Sequence, residues 1–388
     1  MTTPPSERPV GPAPPTFGPP SPDQSWLELF YDLVFVASIV VLSGAYSQDT
    51  TAEGVVWMIL VFSMMWGTWL STTLLLNRVT LTGSWLRSLM IVQMVLVLGM
   101  AIAADTTHGD FSDAVGPLFA AVLVTVALQF RSVLKHHPEL RRSFHRRATR
   151  CIVAAAVFAA TPLFGDVWYI APWVLAIFLF VTPSRHADDS GLDAHHLIHR
   201  FGEFTIIMLG EAFVKIGLTA THEPLDEIDL IGLPLTFVLV FAIWWLYFTD
   251  IPPSGLPRTH ARRGGWIYSH FPFHLCITAV AVSMSRILPP HAEAADKRSV
   301  RYIVLPLTII AVCLAVMNLM IDTPLARRRA RIHLWSAVAL VLAWIVLIGV
   351  DSFDLEGTAV VVTIVFAVSA LRIRRLHVAG PPVPQAGT

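Results

Sequence analysis

The sequence predicts an all-α protein, a polytopic transmembrane bundle of about twelve helices arranged as two parallel six-helix repeats. Three observations predict this fold. Hydrophobic residues make up 55% of the chain and charged residues only 14%, whereas soluble domains carry roughly 25% charged residues. The apolar residues form continuous runs whose lengths suit a crossing of roughly 30 Å of hydrocarbon. The first and seventh of these runs begin with similar sequences.

The apolar runs follow one another at short intervals. They lie near residues 27–46, 53–76, 86–104, 114–134, 149–164, 167–182, 197–219, 230–249, 266–288, 302–321, 333–350 and 357–374. A soluble protein would need more polar sequence than remains here to cover a core of this size. Strands of a membrane β-barrel alternate in polarity over about ten residues, whereas these runs are continuous. Each run is therefore interpreted as a membrane helix.

Lys and Arg residues concentrate in alternate connections between the runs. The basic segments are 131–150, 258–263, 327–331 and 372–375, while the connections 47–52, 105–113, 164–167, 220–229 and 351–356 contain no Lys or Arg. Because cytoplasmic loops carry an excess of positive charge, this pattern predicts that both termini are cytoplasmic. One connection, with Lys297, Arg298 and Arg301, opposes this orientation.

Proline dominates the start of the chain, with nine prolines in the first 22 residues. Such a segment cannot bury enough apolar surface to offset the entropy of ordering, so residues 1–25 are predicted to be a disordered cytoplasmic tail. Residues 377–388 are predicted to be a second disordered tail. The two six-span halves are predicted to cover residues 26–183 and 184–376.

An internal duplication is indicated by two pairs of segments. Aligning residues 27–45 with 202–220 places Glu28 on Glu203, and the segment VFSMMWGTW (61–69) then matches VFAIWWLYF (240–248) at nearly the same offset. Six spans per half is an even number, so both halves would enter the membrane in the same direction. That is the parallel type of repeat, related by an axis along the membrane normal.

The motifs ELFYDLVFV, RFGEFTIIMLGEAFV and YSHFPFHLCI, at the first, seventh and ninth runs, resemble the bacterial low-temperature-requirement protein A family. The resemblance covers roughly residues 25–375. It implies a multi-pass protein of the bacterial inner membrane, in a family named for a growth defect in the cold and without a settled biochemical activity. On the family pattern, Glu28 and Asp32 match the acidic pair of the first motif. The Phe-Tyr-Asp sequence of the first motif also resembles, more faintly, the signature of lysosomal-type potassium channels.

Glu28 and Asp32 lie four residues apart, on one face of the first predicted helix and about 6 Å apart along its axis. A charge inside hydrocarbon costs about 2.5–3.5 kcal/mol even on the lenient insertion scale, so the pair is a candidate cation or proton site. The alternative is structural: Glu28 lies at the membrane interface near the helix N-terminus, and Asp32 pairs with an arginine. Arg78, at the end of the second run, is the expected counter-charge for Asp32.

The seventh run carries His199, Glu203, Glu211 and Lys215 at spacings of four, eight and four, which places them on one stripe of a helix. Glu211 lies about 12 Å deeper than Glu203, near the predicted midplane. A cation- or proton-binding role for these residues competes with a structural ion pair between Glu211 and Lys215.

His270 and His274 lie four apart in the ninth run, with Pro272 between them. They can bind a metal or relay protons, or simply form hydrogen bonds between helices. The segment before the seventh run contains another histidine-rich group, which is interpreted either as a metal site or as a solvated loop. Its members are His195, His196, His199, Asp188, Asp189 and Asp193. The identity of any metal stays unknown.

The hypothesis that unites these residues is a polar cavity open to the cytoplasm. Its predicted lining, for an ion or substrate, is Glu28, Asp32, Arg78, Glu203, Glu211, Lys215, His270 and His274. Such a cavity suits a transporter or channel for a small cation or a proton-coupled solute. The alternatives are a membrane enzyme acting on a lipid-like substrate and a non-catalytic scaffold or sensor in cold adaptation.

An enzyme is disfavoured because the sequence shows no paired metal-binding acids, nucleophile motif or large extramembrane loop. No cofactor and no nucleic-acid partner are expected, and an oligomer is left open. Membrane lipids are the expected partners. The basic stretch RRSFHRRATR (141–150) either attracts anionic headgroups or anchors the topology.

Overall fold

The computed structural model describes most of the chain. The described residues are 22–48, 51–79, 84–106, 114–134, 140–163, 170–181, 192–222, 232–251, 254–287, 300–349 and 355–378. The two predicted tails lie outside these residues except at their inner ends, which are helical at 22–25 and 377–378. Lys297 and Arg298, which oppose the predicted orientation, also lie outside them.

All regular structure in the described residues is helical, as the sequence predicts. The helices are α1 (Pro22–Gln48), α2 (Ala52–Leu76), α3 (Ser84–Thr106), α4 (Val115–Val133), α5 (Arg141–Ala159), α6 (Ile170–Val181), α7 (Ala194–His222), α8 (Gly232–Asp250), α9 (His260–Ile287), α10 (Val300–Ile321), α11 (Pro324–Gly349) and α12 (Leu355–Val378). Each of the twelve apolar runs coincides with one of them.

Six of these helices are long and apolar enough to cross a membrane, namely α1, α2, α3, α4, α10 and α11. Two shorter apolar stretches lie in α6 and α8. The helices α7 and α9 instead carry ionisable and polar side chains that are buried inside the bundle, among them Arg200, Glu211, His270 and His274. Such side chains are costly in hydrocarbon, so helices that carry them must be surrounded by protein.

The helices form two groups that meet along one junction. In the first group α1 packs on α2 and α3, α3 on α4, α4 on α5, and α5 on α6. In the second group α7 packs on α8 and α9, α9 on α10, α10 on α11, and α11 on α12. The groups meet where α1 and α2 contact α7 and α9. This junction holds most of the acidic and histidine residues predicted as site residues.

Aromatic rings fill the middle of the junction. Trp69 of α2 packs against Phe204 of α7 in a tilted arrangement with ring centroids 4.2 Å apart, and meets Phe201 edge-on at 5.1 Å. Trp66 packs edge-on against Phe271 of α9 at 5.4 Å. Aromatic pairs add about 0.5–1.5 kcal/mol beyond their area burial, so these contacts hold the two helix groups together.

The turn between α10 and α11 contains Asp322, whose φ of 59° lies in the left-handed region. Asp tolerates this conformation better than most residues. A hydrogen bond from Arg262, together with the charge of Arg327, holds the pKa of the Asp322 carboxyl below its usual value. The side chain is half exposed, so Asp322 is a surface acid apart from the junction.

Glycine permits a close approach between α4 and the end of α5. A Cβ atom on Gly116 would lie 2.9 Å from the carbonyl oxygen of Phe158 and 2.7 Å from Oγ1 of Thr161. A backbone carbonyl cannot rotate away as a flexible side chain can. By contrast, a Cβ atom on Gly99 of α3 would meet nothing within 4 Å.

We expect Gly116→Ala to destabilise the protein by about 1–3 kcal/mol through overpacking. Gly99→Ala, the matched control, should leave stability unchanged or raise it by up to about 1 kcal/mol, because alanine favours helix. Thermal unfolding of both variants in one detergent measures the effect. Equal melting temperatures would contradict the close packing of α4 on α5.

Candidate functional site

Arg200 organises a buried cluster of charges at the junction. Its Nη2 atom donates to Asp32 Oδ1 at 2.6 Å, its Nε lies 3.3 Å from Glu28 Oε2, and its Nη1 lies 3.4 Å from Glu203 Oε2. Trp69 Nε1 donates to the same Asp32 oxygen at 2.7 Å. Arg200, Asp32 and Glu28 are buried, while Glu203 is 20% exposed. One guanidinium therefore bridges three carboxylates.

The sequence predicted Arg78 as the counter-charge of Asp32, whereas in the structure Asp32 forms an ion pair with Arg200. Arg78 instead lines a separate cavity beside α5. Arg200 was missed because an arginine near the start of a predicted span is usually a topology anchor. The position of Arg200 in the sequence could have indicated its role, because it lies three residues before Glu203 and four after His196, on one helix face. The structure therefore contains the pairing of Asp32 with an arginine that the sequence left open as a structural alternative.

Hydrogen bonds between Asn77 and Asp193 join the end of α2 to the start of α7 and position His196 in the same cluster. Asn77, just after α2, donates through Nδ2 to the Asp193 carbonyl at 2.8 Å and accepts from the Asp193 amide at 3.0 Å. The Asp193 carboxylate accepts from the His195 and His196 amides and so caps α7. His196 Nε2 then lies 2.8 Å from Glu28 Oε2. Asp188 and Asp189, predicted alongside these histidines, lie outside the described residues.

His274 and His270 are held in opposite neutral tautomers by their neighbours. Trp66 Nε1 donates to His274 Nδ1 at 3.1 Å, so Nε2 carries the proton and faces Thr205 Oγ1 at 2.9 Å. For His270, Nδ1 lies 2.8 Å from the Trp266 carbonyl and must donate to it. Its Nε2 then accepts from the hydroxyl of Tyr247 at 3.1 Å.

These contacts give both histidines a role in joining helices, the alternative that the sequence left open. In the part of the chain that the structure describes, no group of three or more His, Cys, Asp or Glu residues could hold a metal ion.

Glu211 lies further along α7 and joins it to α1. Ser43 donates to Glu211 Oε1 at 2.7 Å. The Oε2 atom is buried and has no hydrogen-bond partner among the described residues. Lys215, one turn beyond, is half-buried and interacts electrostatically with Glu211. A buried carboxyl oxygen without a donor is costly when charged, and the interaction with Lys215 is the described compensation for that charge.

A second buried charge cluster lies in the other helix group. Asp250, at the end of α8, forms an ion pair with Arg329, whose Nε lies 2.9 Å from Asp250 Oδ1, and Asp250 Oδ2 lies 2.7 Å from His333 Nε2. Asn318 of α10 donates to the same carboxylate at 3.0 Å. All four side chains are buried. No sequence signal marked Arg329 as a buried residue, because it lies in a run of arginines that indicates a cytoplasmic loop.

A neutral polar network lies behind Asp32 in the first group. The Tyr31 hydroxyl donates to Gln93 Oε1 at 2.9 Å and lies 3.1 Å from Thr72 Oγ1. Gln129 Nε2 donates to the same Gln93 oxygen at 3.0 Å. All four residues are buried. They join α1, α2, α3 and α4, and they were not predicted.

Among the described residues, most of the predicted site residues thus fall into neighbouring buried and half-buried sets. Glu28, Asp32 and Glu203 share Arg200, and Glu211 and Lys215 lie deeper on α7. Between these sets, the rings of Trp69, Phe201 and Phe204 pack around His270 and His274.

Comparisons with known proteins give one family and one distant relative. The family described as bacterial low temperature requirement A protein (LtrA) matches residues 23–368. The uncharacterized protein RA0937 of Rhizobium meliloti (strain 1021) is 23% identical over 291 residues, which cover 68% of this chain and 70% of that protein. No solved structure matches the chain.

Removing one partner of a buried ion pair costs about 3–5 kcal/mol, because the other charge stays buried without compensation. We therefore expect Asp32→Asn and Arg200→Gln each to destabilise the protein by about this amount, and the double variant by less than the sum. Glu203→Gln, at the exposed edge of the same cluster, should cost about 0–1 kcal/mol. Reversible unfolding in mixed micelles measures all four. If Asp32→Asn lowered the free energy of unfolding as little as Glu203→Gln, the burial of the Arg200 charge would not depend on Asp32.

Proposed function

The chain belongs to the bacterial low-temperature-requirement A family, and we propose that it is an inner-membrane transporter or channel that moves a small cation or a proton-coupled solute. The observation that carries this proposal is the series of buried and half-buried protonatable groups along α7. Ionisable residues inside membrane segments are costly and usually mark ion or proton pathways. The family assignment supports the multi-pass membrane setting and leaves the activity open.

On this proposal, the buried and half-buried groups of α7 extend over a length comparable with much of the bilayer depth. His196 and Glu211 are fifteen residues apart on α7, which at about 1.5 Å per residue is roughly 22 Å, against a hydrocarbon core of about 30 Å. Between them, Thr205 contacts His274. A proton or cation entering beside His196 would meet titratable or polar groups from one end of this path to the other.

Glu211 is the proposed proton- or cation-binding residue, because its side chain is buried and its Oε2 atom accepts no hydrogen bond within 3.5 Å from the described residues. The Arg200 cluster is the proposed closure at the other end of the path, since it ties α1 to α7 through Asp32 and Glu28. Aromatic rings fill the space between the two. On this proposal, the conformation is a closed one, and transport requires α1 and α2 to move relative to α7 and α9.

A twelve-span, two-repeat arrangement accounts for how such a movement could occur. The contacts α1–α3, α3–α4, α4–α5, α5–α6 and α2–α6 have counterparts six helices later, namely α7–α9, α9–α10, α10–α11, α11–α12 and α8–α12. This correspondence supports parallel repeats over residues 26–183 and 184–376. In such transporters one half rocks against the other around a site between them. The distribution of Lys and Arg supports cytoplasmic termini.

Proton and alkali-cation flux into proteoliposomes tests the proposal. The purified protein, reconstituted around a pH-sensitive dye and driven by a potassium diffusion potential, should accelerate proton or cation entry over empty vesicles. Glu211→Gln removes the titratable group at nearly constant shape, so we expect flux to fall at least tenfold, which corresponds to about 1.4 kcal/mol. Asp322→Asn is the control, because it removes a surface acid far from the path.

Two outcomes would contradict the proposal. One is wild-type flux no faster than in empty vesicles for protons, Na⁺ and K⁺, which would favour a scaffold or sensor. The other is equal flux in Glu211→Gln and wild type, which would remove Glu211 from the path. Turnover of an added lipid that is lost in the same variant would favour the enzyme alternative. Matched melting temperatures in detergent show that each variant is folded.

A further inference from the structure

One histidine of the junction, His196, contacts both α1 and the end of α2 through its two ring nitrogens. Its Nε2 atom lies 2.8 Å from Glu28 Oε2, and its Nδ1 atom lies 3.3 Å from Asn77 Nδ2. The side chain of His196 is 11% exposed, whereas that of Glu28 is buried. Protons from solvent can therefore reach this ring, although its acidic partner lies inside the protein.

The side-chain amide of Asn77 has a single orientation, because the backbone of Asp193 contacts both of its ends. Asn77 Oδ1 accepts from the Asp193 amide at 3.0 Å, and Asn77 Nδ2 donates to the Asp193 carbonyl at 2.8 Å. Exchanging the two ends would place donor against donor and acceptor against acceptor, so both hydrogen bonds would be lost. The second hydrogen of Nδ2 is then the one that points to His196.

This orientation of Asn77 assigns the proton of the neutral His196 ring. Because Asn77 Nδ2 can only donate, His196 Nδ1 must accept, and the ring proton lies on Nε2, from which it is donated to Glu28. A second proton could bind only at Nδ1. It would lie between two nitrogen atoms 3.3 Å apart, facing a hydrogen of Asn77. The arrangement of Asn77, Asp193 and His196 therefore requires the neutral form of the ring.

Charges of both signs lie beside this ring. The carboxylate of Glu28 attracts an imidazolium, and the guanidinium of Arg200, whose Nε lies 3.3 Å from the same Glu28 oxygen, repels it. Of the two hydrogen-bond partners of the ring, Asn77 requires the neutral form, whereas Glu28 accepts from the neutral and the protonated form alike. Further charged or titratable groups on the helices that meet here are Asp32 on α1, Arg78 after α2, Asp193, His199 and Glu203 on or before α7, and His270 on α9.

We propose that His196 is a proton-operated switch for the α2–α7 link, defined as the two hydrogen bonds between Asn77 and Asp193. A solvent proton that binds at Nδ1 turns the ring into an imidazolium, which keeps its contact with Glu28 and displaces Asn77. The displaced amide cannot keep both hydrogen bonds to Asp193, so the end of α2 separates from the start of α7. The link is present while His196 is neutral and is lost as the pH falls.

This switch would regulate the proposed transport path, and in that respect it rests on the proposed function. The Arg200 cluster joins α1 to α7, and the α2–α7 link joins the neighbouring helix to the same end of α7. Transport was proposed to require movement of α1 and α2 relative to α7. On the proposed topology His196 faces the cytoplasm, so acidification of the cytoplasm would remove one of the restraints on that movement.

Solid-state nitrogen NMR of the full-length protein with labelled histidines, in lipid bilayers, measures the tautomer and the charge of His196. Its signals are identified as those that disappear in His196→Gln. At about pH 8 we expect the neutral ring with its proton on Nε2, and at about pH 5.5 the imidazolium, since histidine changes its charge in this range. A proton on Nδ1 at the higher pH, or a neutral ring at both, would overturn the proposal.

Hydrogen exchange of peptides that span residues 192–200 measures the link itself, after correction for the pH dependence of exchange in an unfolded peptide. In wild type we expect protection to fall at least about tenfold between the higher and the lower pH, because two hydrogen bonds are lost. His196→Gln offers an acceptor and a donor in one amide that does not titrate, so its protection should stay the same at both. An equal fall in His196→Gln and wild type would show that another group is the sensor.

The matched control is His195→Gln, which removes the neighbouring exposed histidine and should respond to pH as wild type does; loss of the response there would overturn the proposal. Asn77→Ala is a second variant in case His196→Gln does not fold. It should show the weaker protection at both pH values, and a full pH response in Asn77→Ala would also overturn the proposal. Neither measurement uses flux, so a failed flux assay removes the transport proposal alone, and an unresponsive His196 removes the switch alone.

Discussion

The buried contact between Asp32 and Arg200 is the constraint on which the rest of the structure depends. It lies where α1 meets α7, at the junction of two helix groups that otherwise touch through few elements. Neither charge could remain buried alone, because the desolvation of an unpaired ion costs several kcal/mol. The positions of Glu28, Glu203 and Trp69 all follow from this pair, since each contacts one of its members. The pair thus fixes how the two groups sit together.

Arginines occupy two different settings within this bundle. Arg200 and Arg329 each lie against buried carboxylates, so their charges are compensated inside the protein. These ion pairs join α7 to α1 and α11 to α8. Around the cavity beside α5, Arg147 donates to the Ser71 hydroxyl and lies over the Phe180 ring, while Arg263 donates to the Pro257 carbonyl.

Much of the fold could be predicted because it follows from local sequence. Each apolar run overlaps a helix, and six of these helices are long and apolar enough to cross a membrane, where backbone groups must form their hydrogen bonds within the segment. The family could be identified from three motifs. The depth of Glu211 relative to Glu203 also followed from helical rise alone. What could not be predicted were the partners, such as Arg200 for Asp32 and Ser43 for Glu211, because each pairs residues about 168 positions apart.

The sequence by itself determined that the chain forms apolar helices, that acids and histidines interrupt them, and on which helix face each of these lies. Periodicity and hydropathy are properties of single segments, so they can be read before the chain folds. Only the tertiary structure decided that one arginine of a basic motif turns inward to Asp32 while others gather around a cavity beside α5. A guanidinium group is stable both beside a buried carboxylate and in the cavity. Which of the two environments an arginine occupies depends on the carboxylates and aromatic rings that the neighbouring helices place beside it.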